Sequence, residues 1–290
     1  MKRTGIAASL IVSFILFSDT AFTVTVPPLI EAIWNKDRAK VGLLISQGAD
    51  VNGKHEDTAL VTAIEIQPKR FDYEIVKMLV SAKRIDVNRY STKPMGAYSW
   101  HRTPLIAAVD TGNIEVVRLL LAKGAKANLT DQHFPASTII GPQPLNTALH
   151  YAAGNGFYDI AELLIAKGAN IEQLNSTGIT PLMSAVIKVS DASKAAEKEN
   201  ACKVISVLLR KGAKVDNCPF SPNTKFLKID LPAGTPSTIN PNVIERGGGG
   251  ITALYYTAMN GFVEGAKLLL DGGAKIGFQH YTSKATPIMA

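Results

Sequence analysis

The side chains able to do chemistry are few and scattered. Five histidines, His55, His101, His133, His150 and His280, stand at least 17 residues apart with no ligand spacing, and a metal site needs ligands at short, recurring intervals. Two cysteines, Cys202 and Cys218, are too few for a disulfide scaffold or a four-cysteine zinc site. The chain has no H-E-x-x-H, no G-x-S-x-G and no G-x-x-x-x-G-K-[ST], and the run Gly247 to Gly250 leads on without a lysine, so it does not cradle phosphate. The expected chemistry is recognition, with no enzyme activity, catalytic residue, cofactor or metal.

Charge and aromatic side chains supply the means of recognition. Lys123, Lys167 and Lys211 each stand directly before a glycine, where a cation at a helix C-terminus complements the macrodipole. Lys126, Lys214 and Lys275 stand two residues after such glycines and have no such structural excuse. Eight aromatic residues, Tyr90, Tyr98, Trp100, Phe134, Phe220, Phe226, Phe278 and Tyr281, fall between the periodic segments. Rings of this kind either pin loops to a core or anchor an interface.

A short motif recurs along the chain. Thr103-Pro104-Leu105-Ile106-Ala107-Ala108 is matched by Thr147-Ala148-Leu149-His150-Tyr151-Ala152, by Thr180-Pro181-Leu182-Met183-Ser184-Ala185 and by Thr252-Ala253-Leu254-Tyr255-Tyr256-Thr257. Each leads to a second apolar run that ends in Gly-Ala, and in three of these four units the glycine lies 19 residues after the motif leucine. The same interval separates Leu29 from Gly48. Thr147 offers a hydroxyl that can cap a first helix, and Gly154-Asn155-Gly156 reverses the chain. Ile160, Leu163 and Leu164 make the stripe of a second helix, and Gly168 supplies a left-handed cap.

The motif resembles the T-P-L-H-x-A signature of the ankyrin repeat. The resemblance implies an all-α solenoid of about six helix-turn-helix units with hairpin loops, spanning residues 27–290. The units fall near 27–57, 58–100, 101–144, 145–177, 178–249 and 250–283, and a seventh begins at 284–290 as either an unusual cap or a fragment. Spacings between motif leucines of 31, 45, 44, 33, 72 and 34 depart from the family's 33. Residues 89–100 and 130–144 are expected to lengthen hairpin loops, 187–198 the turn between helices, and 217–249 a connection between units. Inserts in such solenoids map to the surface, often to the binding face.

On the family pattern Glu31, Trp34, Asp110, Tyr151, Asn155, Tyr256, Met259 and Asn260 are expected to line a partner-binding groove on the first helices. Tyr151 and Tyr256 lead that set. Lys126, Lys214 and Lys275 occupy positions where the family usually has Asp, which makes them a candidate basic edge for an acidic partner. His150 fills the signature position and is expected to hydrogen-bond nearby backbone. A helix from Cys202 to Gly212 rises about 15 Å, whereas a disulfide needs Cα atoms within about 7 Å. Cys202 and Cys218 therefore pair only if the 217–249 connection folds back, and otherwise Cys202 is a plain buried residue.

The chain of 290 residues is 46% hydrophobic and 19% charged, with a formal charge of +7. That composition excludes disorder as the main state and is too mildly basic to point to nucleic acid. Met1-Lys2-Arg3 precedes a 13-residue apolar run from Gly5 to Phe17, the pattern of a secretory signal of about residues 1–21. The run is shorter than the roughly 20 residues of a membrane-spanning helix, so no span is expected after cleavage. Periplasmic or secreted placement follows, and with it three readings of a protein-binding scaffold. The first is an immunity-type inhibitor of a secreted effector such as a phospholipase, which some exported bacterial ankyrin proteins resemble. The others are an envelope scaffold or stress-protection protein, and a host-targeted effector. Mass spectrometry of the native N-terminus is expected to find a chain starting between residues 19 and 24, and intact Met1 in a cytosolic fraction would overturn export.

Overall fold

The computed structural model describes residues 26–53, 58–66, 70–95, 98–135, 145–189, 193–217 and 252–276. Within them lie six pairs of helices. The first helices are α1 Pro28–Trp34, α3 Ala59–Glu65, α5 Pro104–Asp110, α7 Ala148–Gly154, α9 Pro181–Ile187 and α11 Ala253–Met259, each seven residues long. The second helices are α2 Arg38–Ser46, α4 Tyr73–Ser81, α6 Ile114–Ala122, α8 Tyr158–Ala166, α10 Ala195–Arg210 and α12 Val263–Asp271. Helices of seven to nine residues are marginal alone. Each first helix packs on the next first helix and each second helix on the next second helix, which gives the expected two-layered ankyrin solenoid.

The motif residues do the same work in each unit. Leu29, Leu60, Leu105, Leu149, Leu182 and Leu254 are all buried, at equivalent places in one continuous core. Thr58, Thr103, Thr180 and Thr252 accept a hydrogen bond from the backbone N–H three residues on, which satisfies an otherwise orphaned donor. The glycines after the second helices take left-handed φ, +87° at Gly124 and +86° at Gly168, which only glycine adopts freely.

A polar ladder fixes the register between units at the hairpin end. Asn52 accepts from the Asp86 N–H at 2.8 Å and donates to the Arg84 carbonyl at 2.7 Å. Asn88 repeats this with Lys126 and Gly124, and Asn128 with Asn170 and Gly168. Beyond unit four only half of the device remains, as Glu172 accepts from the Lys214 N–H and Asp216 from the Lys275 N–H.

Three expectations need correction. The inserts of units two and three are not merely long loops: β1 Ser91–Met95, β2 Tyr98–Arg102 and β3 Gln132–Pro135 form an antiparallel sheet in the order β1-β2-β3. Neighbouring hairpins stand side by side, so β2 pairs with β3 of the next unit, Trp100 opposite His133. The 187–198 insert is in part helix, because α10 starts at Ala195 and runs 16 residues. Cys202 consequently sits in the middle of a helix rather than near its start. Thr147 caps α7 as expected, in a capping box with His150, whose Nδ1 also lies 2.8 Å from the Thr147 hydroxyl.

His150 is held by backbone on both sides. Its Nε2 lies 3.0 Å from the Ile179 carbonyl and its Nδ1 3.2 Å from the Thr147 N–H. A carbonyl can only accept and an N–H can only donate, so the neutral Nε2–H tautomer is the one that fits. Burial pulls its pKa down to about 4. The unfolded chain, with an ordinary histidine near 6.5, binds the extra proton first as pH falls. The stability that neutral His150 contributes is complete above pH 6.5 and is lost toward pH 4. Chemical denaturation at pH 5 is expected to show about 2 kcal/mol less stability than at pH 7 from this group, and His150→Gln should flatten the slope. An unchanged slope in the variant would refute the assignment.

Candidate protein-binding face

The residues expected to line the groove fall on the first-helix layer, but the structure separates them into a committed set and an open set. Glu31 pairs with Lys40 at 3.4 Å, and Trp34 is half-buried against the core of unit one. In units two to four the face is occupied by its own ion pairs and hydrogen bonds. Arg102, buried at the end of β2, reaches Asp110 Oδ2 at 2.8 Å and Glu65 Oε1 at 3.2 Å. Asp131, fully buried, accepts the Tyr151 hydroxyl at 2.6 Å and the Asn146 N–H at 2.6 Å.

Tyr151 is therefore a clamp. Burial, and after it the Asp131 carboxylate, pushes its pKa far up, so the hydroxyl stays a donor. Together with the Asp131 N–H to the Asn146 carbonyl and the Thr130–Thr147 bridge, it closes the base of the unit-three insert across the stack. Tyr90 does similar work, its half-buried hydroxyl donating to the Thr130 carbonyl. Of the other loop aromatics, Tyr98, Trp100 and Phe134 fall in β2 and β3. Phe220, Phe226, Phe278 and Tyr281 lie outside the described residues, as does Cys218. The Cys202 thiol is half-buried, and burial raises its pKa, helped by Glu264 and Glu199, which disfavours the reactive thiolate.

From Asp110 onward the face is bridged unit to unit by long contacts. Asn155 donates to Asp110 at 3.3 Å and accepts from Lys188 at 3.4 Å. Asn260 donates to the carbonyls of Val186 and Ile187, which brings the ends of α9 and α11 together. Ile187 and Met259, at equivalent positions five residues past the motif leucines, are 37% and 56% exposed, and Val263 opens α12 at 60%. Tyr256 is half-buried, and burial raises its pKa. Its hydroxyl has no hydrogen-bond partner among the described residues, unlike that of Tyr151.

Lys126, Lys214 and Lys275 are all exposed and make no ion pair among the described residues, while their backbone N–H groups serve the ladder. Position in the hairpin is thus fixed and the ammonium left free. Ile187, Lys188, Arg102 and Asp131 were not anticipated as site residues. Ile187 and Lys188 were detectable, as the unit-five equivalents of Met259 and Asn260. Arg102 and Asp131 lie outside the repeat period and carry no sequence signal. Among the described residues no cluster of histidine, cysteine and carboxylates could hold a metal, and no helix is long and apolar enough to cross a membrane.

The model for ankyrin repeats in three copies matches residues 29–131 and 138–218, and that for many copies matches 105–165. The chain belongs to the ankyrin-repeat family. It is 30% identical over 171 residues to the ankyrin repeat and KH domain-containing protein mask-1 of Caenorhabditis elegans, a match over 57% of this chain and 6% of that protein. It is 28% identical over 197 residues to the phosphocholine transferase AnkX of Legionella pneumophila, over 65% of this chain and 17% of that one. Both matches thus span a small part of much longer proteins. A solved ankyrin repeat domain from Acinetobacter baumannii superposes with a TM-score of 0.56 at 26% identity, covering 86% of this chain and 98% of that chain. Ankyrin-repeat domains are protein-interaction modules and in general not enzymes, so protein partners are the expectation for this array.

Tyr151→Phe removes the hydroxyl donor from a fully buried carboxylate oxygen and is expected to cost about 1–3 kcal/mol of stability. Met259→Ala, at an exposed position, should change it by less than about 0.5 kcal/mol. Denaturant midpoints of the two variants check this, and a Tyr151→Phe protein as stable as the parent would remove Tyr151 from the clamp.

Proposed function

We propose that the chain is an exported, non-enzymatic scaffold that binds and neutralises one folded, acidic protein, most concretely a secreted effector such as a phospholipase. The observation that carries the reading is the contrast along the first-helix face. Among the described residues, units two to four spend their polar side chains on each other, whereas units five and six leave Ile187, Met259 and Val263 exposed and Tyr256 half-buried. Apolar and aromatic groups of that kind anchor interfaces. The free ammonium groups of Lys126, Lys214 and Lys275 supply a field that steers an acidic partner. Export rests on the basic start and short apolar run, and an inhibitor of a secreted effector is the role that joins export to tight occlusion.

A second reading, a bacterial effector acting in a host, draws on the similarity to AnkX, and an envelope scaffold would use the same face. Affinity capture from the envelope fraction, set against capture from a host lysate, separates them. With the captured partner in hand, Tyr256→Ala combined with Met259→Ala should raise the off-rate by about 30-fold with little salt dependence. Reversing the charge of the three lysines should lower the on-rate, most strongly at low ionic strength. If both variants bind like the parent while folding cooperatively, the interface lies elsewhere on the array.

A further inference from the structure

The dipeptide Asn-Gly occurs at Asn52, Asn155 and Asn260, and the three sites are built differently. In such a pair the glycine nitrogen has no Cβ beside it and can attack the asparagine side-chain amide. Asn155 and Asn260 close the turns after α7 and α11 with ψ of 0° and −2°. At that angle the next nitrogen eclipses the residue's own nitrogen instead of facing its side chain. The glycine N–H groups there donate to backbone carbonyls, Gly156 to Ala153 and Gly261 to Ala258, both at 3.2 Å.

Asn52 has other contacts, because it is a rung of the ladder. Its side-chain oxygen accepts the Asp86 N–H at 2.8 Å, and its amide nitrogen donates to the Arg84 carbonyl at 2.7 Å. The Gly53 N–H donates to Asp50 Oδ1 at 3.2 Å, and the Gly53 carbonyl accepts from Arg89 at 2.8 Å. One amide is thus surrounded by an N–H on its oxygen, a carbonyl on its nitrogen and a carboxylate on the neighbouring nitrogen. Asn88 and Asn128 carry the same N–H on their oxygens. They precede Arg89 and Leu129, whose side chains crowd the nitrogen that would have to attack.

We infer that Asn52-Gly53 is a self-modifying site, at which the folded chain converts its own asparagine into aspartate and isoaspartate. Asp50 acts as general base on the Gly53 N–H, and the freed nitrogen attacks Asn52 Cγ. The Asp86 N–H stabilises the oxyanion that forms on Oδ1. As the Cγ–Nδ2 bond breaks, the proton taken from Gly53 leaves with the amide as ammonia, and a five-membered succinimide remains. Water then adds to one of its two carbonyls: attack at the side-chain carbonyl gives aspartate, and attack at the main-chain carbonyl gives isoaspartate. The product holds a carboxylate where the rung needs a donor to the Arg84 carbonyl. The tie between units one and two falls to the half-tie that Glu172 and Asp216 make further along, and the first unit of the array loosens slowly and irreversibly. This inference does not depend on the protein-binding reading.

The full chain is incubated at neutral pH in oxygen-18 water, which marks every succinimide that opens, and is then digested for peptide mass spectrometry. A parallel sample in guanidinium chloride gives each asparagine its own unfolded rate. In the folded chain Asn155 and Asn260 should react about tenfold or more below their unfolded rates, since each turn must open first. Asn52 should react at least as fast folded as unfolded. Asp50→Asn keeps an oxygen that accepts the same N–H bonds but removes the base. It should slow Asn52 by roughly tenfold or more in the folded chain and leave its unfolded rate within about twofold of the parent's. Asn52→Asp installs one product directly and should raise hydrogen exchange of the α1 and α2 amides by about threefold or more. An Asn52 as protected as Asn155 and Asn260, or a folded rate untouched by Asp50→Asn, would overturn the self-modification. Unchanged exchange in Asn52→Asp would overturn the loosening of unit one.

Discussion

No helix pair in this chain can cover its own apolar surface. First helices of seven residues and second helices mostly of nine are too short to persist alone, so each unit is stable only as a neighbour of another. That constraint decides where the sequence is free to vary. Leu105 or Leu149 cannot move without opening two interfaces, whereas residues beyond a helix end lie outside the stack. The inserts obey this rule: one set extends the hairpins into β1, β2 and β3, and another lengthens α10 at the opposite end of its unit. Asn52, Asn88 and Asn128 make such growth tolerable by tying each hairpin to the next, so that register does not depend on the loops.

The same economy divides the first-helix face in two. Burying Arg102 between Glu65 and Asp110 costs desolvation that the ion pairs only partly return, and such networks act more to specify one arrangement than to stabilise it. Here they fix the root of β2 against α3 and α5, while Tyr151 and Asp131 fix the root of the next insert. A face used in this way has few groups left for a partner. Beyond Asn155 no insert among the described residues descends onto the first helices, and there Ile187 and Met259 remain exposed while Tyr256 lies half-buried against the core.

What could be read in advance follows from what repeats. The motif leucines, the threonine caps and the glycine ends recur at fixed intervals, and they settled the helix pairs and the core. The partners of His150 could be anticipated in kind, though not that its Nδ1 also accepts the Thr147 hydroxyl proton, because the signature does not show that the ring turns back onto the cap residue. Tyr151 looked equivalent to Tyr256 by position. What separates them is Asp131, 20 residues upstream across an insert with no period, and no alignment of repeats can place such a residue. The sheet escaped notice for a related reason: β2 and β3 belong to different units and meet only once the solenoid has stacked them.

The arrangement bears on the size of the partner. The free lysines lie at the hairpin end of the units and the overhang of the 16-residue α10 at the turn end, with the length of a first helix, about 10 Å of rise, between them. The exposed apolar residues lie near the turn end in units five and six. A short extended peptide running along the array could touch one of these rows but not all three. A surface that uses the lysine field, the apolar pair and the α10 overhang together must extend across the face as well as along it, as the surface of a folded domain does. The long α10 wall fits the same geometry, since a rigid step has value against a partner with a shape of its own and little against a chain free to bend around it.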